Sequence, residues 1–321
     1  MGRALWAGLG SAAGTAVLAG AGVLGWSVKQ TSAFTLRRYD VPVLAPGTSP
    51  VKLLHISDLH LVPTQRKKVA WVQRLAELAP DLVINTGDNM ADGASLPTVT
   101  EALDGLLDVP GAFVLGSNDY YAPRLKNPAR YLLADARKDE DPEDFARLPA
   151  EAMVEAFTDR GWLDLSNARG RLVVGGVDVR LVGVDDPHLE RDVMPAPEGA
   201  GGGAGGGVGA AAPVLRLGVA HAPYTRVLDA FADDGADLIL AGHTHGGQLC
   251  LPGGRALVTN CDLDPGRASG LHGWPGPRPD RPDGAGSTWL HVSAGLGTSP
   301  YAPVRFACPP EATLLTLVAR N

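Results

Sequence analysis

Three short β-rich apolar runs in the first half of the chain each break off in a polar cluster: VKLLHIS (51–57), DLVINTG (81–87) and GAFVLGSND (111–119). Two stretches with helical spacing stand between them. VAWVQRLAELAP (69–80) repeats apolar residues at Val69, Val72, Leu75 and Leu78 and stops at Pro80, and LPTVTEALDGLL (96–107) reads as a second helix. Strands alternating with helices in this way predict βαβ units and an α/β fold with a largely parallel sheet core.

The second half is richer in strand. RLVVGGVDVRLVGVDD (171–186) reads as a hairpin around Gly175 and Gly176. Further strands are VLRLGVAHAP (214–223), DLILAGHTHGGQLCLP (237–252) and TWLHVSAGLG (288–297), and ATLLTLV (312–318) closes the domain. Three segments read as flexible insertions: the charged 136–149, the Gly/Ala tract 199–212 and the Pro/Gly-rich 272–286. No internal repeat implies a solenoid.

Composition narrows the function. A net charge of −7 over 321 residues, with no long Lys/Arg run, predicts no nucleic-acid-binding surface. Three cysteines with no CxxC pair, Cys250, Cys261 and Cys308, make neither a disulfide framework nor a thiolate zinc site, and read as buried thiols. No protein partner is predicted. From Ala4 to Trp26 there is no charged residue, about the length that crosses a ~30 Å hydrocarbon core. Residues 1–30 therefore read first as a single cell-membrane anchor, then as a secretory signal, and last as a buried helix. The flanking charges leave the side of the membrane open. Residues 31–50 read as a polar linker, and 51–321 as the functional domain.

Ligands in open α/β sheets bind beyond the carboxyl ends of strands. Five strand ends here deliver, in order, Asp58 and His60; Asp88; Asn118 and Asp119; His221; and His243 and His245. Each alone is weak: Asp58 also reads as a turn residue, Asp88 as a helix N-cap and His221 as a structural histidine. His55 and His291, inside strand patterns, and His188 and His272, in loops, read as structural or surface residues. Together the strand ends offer oxygen and nitrogen donors with no thiolate, too many for one zinc ion. They suit two divalent or trivalent metal ions, Mn, Fe or Zn, sharing one bridging carboxylate. Two metals roughly 3.5–4 Å apart hold a hydroxide between them and clamp the oxygens of an in-line displacement at phosphorus. His243 and His245 reach two different metals if the chain turns sharply, which the flanking glycines permit.

The order DxH (Asp58, His60), GD (Asp88), a GNH[DE]-like segment (Gly116 to Asp119), a single His (His221) and GHxH (Gly242, His243, His245) resembles the calcineurin-like metallophosphoesterase superfamily. The wording HISDLHL and AGHTHGGQ, with the apolar N-terminus, looks most like its bacterial membrane-associated phosphodiesterase branch. The resemblance implies a four-layer α/β/β/α sandwich of two mixed sheets flanked by helices, here preceded by an N-terminal hydrophobic helix. It implies that Asp58, His60 and His245 hold the first metal and that Asp88 bridges. His221 and His243 then hold the second, with an amide from the third strand end.

One motif departs from the family pattern. Gly-Asn-His before the acidic residue is replaced by Gly116-Ser117-Asn118-Asp119. In one register Ser117 takes the ligand position and Asn118 the histidine position; in the other Asn118 is the ligand and Asp119 faces the substrate. A serine hydroxyl is a poor ligand unless deprotonated, which favours Asn118. The family's catalytic histidine is absent in both, and an Asn cannot protonate a leaving group. The expectation is a binuclear phosphoester hydrolase, more a phosphodiesterase than a monoesterase, with a metal-bridging hydroxide as nucleophile. The competing reading is a membrane-tethered, metal-containing phosphoester-binding protein without turnover. Its phosphoester ligand is left open among lipid head groups, envelope polymers and nucleotides. A metallo-β-lactamase-type site is set aside, because no early HxHxDH cluster is present. GVDDPH (183–188), TSPYAP (298–303), Tyr120 and Tyr121 read as ordinary loop residues, with lining of the substrate cleft as the second reading.

Overall fold

The computed structural model describes residues 20, 22–123, 145–197, 213–251, 253–298 and 301–320. The first sheet is built from β1 (Thr35–Leu44), β2 (Val51–Ile56), β3 (Leu82–Asn85), β4 (Gly111–Phe113) and β5 (Leu163–Asp164). The second takes β6 (Arg169–Val174), β7 (Val177–Gly183), β8 (Val214–Val219), β9 (Leu238–Ala241), β10 (Gly270–Trp274) and β11 (Thr288–Val292). The last strand, β12 (Glu311–Ala319), returns to the first sheet. The orders are β1, β12, β2, β3, β4, β5 and β10, β11, β9, β8, β7, β6. Most neighbours are parallel, but β12 runs antiparallel to β2, β7 to β6 and β11 to β10, so both sheets are mixed.

Strand alternation separates the layers. Leu53 of β2 enters a central apolar layer with Leu215, Leu217, Leu238 and Leu240 of the other sheet. Its neighbours Leu54 and Ile56 face outward, against Val69 and Val72 of α1 (Arg66–Gln73) and Val99, Leu103 and Leu106 of α2 (Leu96–Leu107). Met153 and Phe157 of α3 (Ala150–Thr158) join the same layer. On the far side, Ile239, Leu290 and Val292 pack on Val227, Leu228 and Phe231 of α4 (Thr225–Asp233). Helix, sheet, sheet and helix follow in that order. The strands thus have apolar residues on both faces, which is why they read as runs and not as alternation.

Several boundaries are corrected. The 31–50 linker contains β1, which pairs in parallel with β12 along most of its length. Pro42 and the arginines Arg37 and Arg38 disguise it, yet all three suit a strand at the sheet edge. The 272–286 segment is not an excursion: it starts inside β10, which carries His272, and the guanidinium of Arg278 lies over the Trp289 ring at 5.0 Å. The long strand read over 237–252 stops at Ala241, and the third strand stops at Phe113, with Ser117–Tyr120 a single helical turn. Helix α1 begins before Val69 and tightens into a 3₁₀ stretch, Arg74–Leu78. The 199–212 tract and most of 136–149 lie outside the described residues. So does most of the apolar N-terminus, of which a helix over 22–30 is described. Among the described residues no helix is long and apolar enough to cross a membrane.

Candidate metal centre

The strand-end residues converge at one edge of the two sheets. Asp58 and His60 follow β2, Asp88 follows β3, His221 follows β8, and His243 and His245 follow β9. Five of the six take left-handed backbone: Asp58 (φ 51°), His60 (40°), Asp88 (58°), His243 (66°) and His245 (50°). Such a conformation costs a non-glycine residue about 1–2 kcal/mol, and persists only where the surroundings impose it. Here they do. Asp58 N–H donates to the Gly87 carbonyl (2.9 Å), His60 N–H to Asp88 (2.9 Å) and Gly242 N–H to His221 (2.8 Å). Asp58 and His60 therefore meet without an extended backbone, and the turn at GHTH is taken by the histidines themselves. Gly242 is needed for a different reason: a Cβ there would collide with Ser57 Oγ and lie 2.7 Å from Asp58 Oδ2. At Gly116 a Cβ would overlap Asp88 Oδ1 and sit 2.7 Å from the His221 ring.

One ligand atom each from Asp58, His60, Asp88 and His245 falls within 4.8 Å of the others. His60 Nε2 is 3.1 Å from His245 Nε2 and 3.4 Å from Asp88 Oδ2, and His245 Nε2 is 3.5 Å from Asp58 Oδ1. Asp58 Oδ1 is buried without a hydrogen-bond partner, as is His60 Nδ1. A buried carboxylate oxygen left bare among imidazoles is a poor arrangement for a protein alone and a good one for a cation. The donor set thus fits a metal. On the other side of Asp88, Oδ1 faces His221 Nε2 at 3.5 Å, and His221 Nε2 lies 3.2 Å from His243 Nδ1.

Backbone carbonyls orient the imidazoles. His221 Nδ1 donates to Thr86 O (2.7 Å), His245 Nδ1 to Gly297 O (3.0 Å) and His243 Nε2 to Asn260 O (3.3 Å). A carbonyl can only accept, so in the neutral ring the opposite nitrogen is bare and faces the centre. Burial holds His60 and His245 well below the usual histidine range, which keeps both neutral. For His221 burial also pulls downward, but Asp88, Asp186 and Asp58 outweigh it and lift it to about 9. Burial, then Asp58 and Asp119, raises Asp88, while burial on Asp58 is outweighed by His245, His221 and Ser57 and its carboxyl is lowered.

The third strand end divides. Asp119 is fully buried and its carboxylate accepts the N–H groups of Asp88, Asn89 and Gly116 (2.8, 2.7 and 3.0 Å), so it is turned into the protein. That corrects the register in which Asp119 faces substrate. Asn118 is half-buried; its N–H donates to Asp88 Oδ1 (2.7 Å) and its Nδ2 to Ser117 Oγ (3.0 Å). The amide oxygen is what this side chain has to offer a cation.

Sequence reasoning missed two residues. His188 packs its ring on His243, centroids 4.5 Å apart, with Nδ1 3.2 Å from Tyr224 Oη. It follows β7, so the strand-end rule could have found it. Tyr120 donates to Asp185 (2.8 Å) under the Arg191 guanidinium, which ties Tyr120 to the GVDDPH loop that carries His188. Arg305 is wholly buried and donates to the carbonyls of His245, Ala294, Gly295, Gly297 and Cys308. Nothing in the sequence around it signals that role.

Comparison with known proteins identifies relatives and a family. The chain is 26% identical over 212 residues to a protein of Bacillus subtilis named only as uncharacterized protein YpbG, covering 63% of this chain and 64% of that one. A bovine transmembrane protein with metallophosphoesterase domain is 29% identical over 241 residues, 73% of this chain and 49% of that protein. The uncharacterized metallophosphoesterase YkoQ of Bacillus subtilis is 25% identical over 273 residues, 84% of each chain. The chain thus spans about half to two thirds of the first two relatives. The family described as calcineurin-like phosphoesterase matches residues 51–247, more than half of the chain and all six converging residues, and the chain belongs to that family.

Proposed function

We propose that this protein is a binuclear metal-dependent phosphodiesterase, held at the cell membrane by its N-terminal segment. The observation that carries the reading is the Asp88 carboxylate. One oxygen faces His60 (3.4 Å) and the other faces His221 (3.5 Å), so a single side chain serves two groups of imidazoles. Asp58, His60 and His245 would hold one metal, and His221, His243 and the Asn118 amide the other. Two such ions, Mn, Fe or Zn, supply an activated water at neutral pH and a clamp for phosphoryl oxygens.

The chain's own groups do the remaining work. The carbonyls of Thr86, Gly297 and Asn260 keep the imidazoles aimed. Asn118 and Ser117 form the half-buried rim at the third strand end, and an amide N–H there can donate to a phosphoryl oxygen. It cannot protonate a leaving group, which favours diesters whose leaving group needs little help. A membrane lipid head group, an envelope polymer and a nucleotide diester each contain a phosphodiester linkage.

The test uses purified full-length protein in detergent with added Mn²⁺, an activated aryl phosphodiester and the matching monoester, with Asp88→Asn as the control. Expected are about two metals per chain and diester turnover that disappears in the variant. Two metals with turnover of neither ester would sink catalysis and leave the metal-containing binding protein.

A further inference from the structure

His55 on β2 and His291 on β11 meet between the two sheets, Nδ1 to Nδ1 at 2.8 Å, and both are wholly buried. On its other side His55 Nε2 lies 3.0 Å from Thr86 Oγ1. Thr86 Oγ1 donates to Ser57 Oγ at 2.7 Å, and Ser57 Oγ donates to Asp58 Oδ2 at 2.5 Å. Four hydrogen bonds thus run from the centre of the sandwich to a carboxylate of the metal centre, with no exposed residue among them.

The direction of this chain is fixed by counting protons. A carboxylate accepts, so the Ser57 hydroxyl spends its one hydrogen on Asp58 and takes another from Thr86. Thr86 has then spent its own, and needs the hydrogen of His55 Nε2. A neutral His55 with hydrogen on Nε2 has a bare Nδ1, which requires hydrogen on Nδ1 of His291. His291 Nε2 is then bare, and that atom is among the buried side-chain atoms with no hydrogen-bond partner. Burial pushes His55 down to about 3 and His291 well below the usual range, so each ring carries one hydrogen. The two tautomers and the chain's dead end follow from one another.

We infer that His55 and His291 are positioning residues, which act through Thr86 and Ser57 to hold Asp58 Oδ2 from behind and leave Oδ1 as the oxygen presented to the metal. Asp58 Oδ2 accepts a second hydrogen bond, from His243 N–H at 3.1 Å, whereas Oδ1 has no partner. The two oxygens of one carboxylate are thereby given different work. The inference rests on the metal-binding reading of the site. It goes beyond that reading in assigning a role to two histidines that hold no metal.

Two measurements on the full chain test it. In the parent, ¹⁵N-histidine NMR should show His55 with hydrogen on Nε2 and His291 with hydrogen on Nδ1; hydrogen on His55 Nδ1 would overturn the chain. Thr86→Val removes the central hydroxyl at nearly constant shape and keeps the carbonyl that serves His221. It should weaken one of the two Mn²⁺-binding steps, read by chelator competition and Mn²⁺ EPR, by about 10–100-fold. Thr86→Ser should restore it. Parental affinity at both steps in Thr86→Val overturns the positioning role while leaving the metal centre standing. A parent that binds no Mn²⁺ overturns the metal reading itself, and with it this role. Should Thr86→Val fail to fold, the parental tautomers decide.

Discussion

The Asp119 carboxylate accepts the backbone N–H of Asp88 at 2.8 Å, while the Asp88 carboxylate accepts the backbone N–H of Asn118 at 2.7 Å. Two strand-end loops are thus clasped by reciprocal bonds, and the clasp sets where the Asp88 carboxylate stands. Asp119→Ala would leave the N–H groups of Gly116, Asp88 and Asn89 without their acceptor. At about 1–3 kcal/mol for each buried unsatisfied donor, a stability loss of roughly 3 kcal/mol or more is expected. Urea denaturation measures it, alongside metal content, which should fall too. A residue facing substrate would behave oppositely, losing turnover in Asp119→Asn with stability and metal content unchanged.

Gly242→Ala tests the close approach of two loops. The added Cβ would run into Ser57 Oγ, itself bonded to Asp58 Oδ2. Asp58 then has to move, so metal should bind roughly tenfold more weakly or worse. Helix and sheet content should survive, because the clash lies beyond the strand ends. Elemental analysis after gel filtration, with circular dichroism on the same sample, separates the two effects. Parental metal occupancy would refute the argument.

The parts of this molecule legible in the sequence are those whose residues act locally. The runs beginning at Val51, Asp81 and Asp237 were legible as strands because both faces are apolar, although the last was read too long, and the donors beyond them stood out as a candidate site because strand ends collect ligands. β1 was hidden, since Arg37, Arg38 and Pro42 belong to an edge and its pairing with β12 joins residues far apart in the chain. The left-handed backbone at Asp58 and His60 was equally invisible: it is imposed by the carbonyls of Gly87 and Asp88, on another strand end. Register within GSND could not be read from residue types, because a buried Asp119 and an exposed one look alike until its three donors are in place. His55 meets Thr86 and His291, both distant in sequence, and Arg305 gathers carbonyls of several loops, from His245 to Cys308.

Arg305 supports the loops that carry His245 and Gly297. Its guanidinium donates to the carbonyls of Ala294 and Gly297 at 2.7 Å and of His245 at 3.3 Å, and Gly297 O in turn holds His245 Nδ1. Arg305→Met fills similar volume but strands these acceptors, and hydrogen bonds to a charged donor are worth about 1.5–3 kcal/mol each. A loss of at least ~3 kcal/mol is expected by urea denaturation. Arg305→Lys should recover less than half of it, since an ammonium lacks the planar fork that spans several carbonyls. Full recovery by lysine would show that charge alone matters.

As a ligand of the proposed centre, His221 would link metal binding to pH. Burial opposes its charge, but Asp88, Asp186 and Asp58 lift it from 6.5 to about 9. A folded value above the unfolded one means that protonated His221 stabilises the metal-free fold. That contribution is fully present below the unfolded value and is lost as pH rises through about 9. Ligation of a metal in the proposed centre would need the same nitrogen bare, so at pH between the two values His221 would give up its proton when a metal enters. Mn²⁺ affinity should therefore climb with pH through this window and level off above it, while the chelated protein becomes less stable over the same range. Calorimetric titration in two buffers of different ionisation enthalpy reads the protons directly. His221→Asn, which cannot carry that proton, should release about one fewer than the parent near neutral pH and the same number above the window. Equal release by parent and variant at both would exclude His221 as the source.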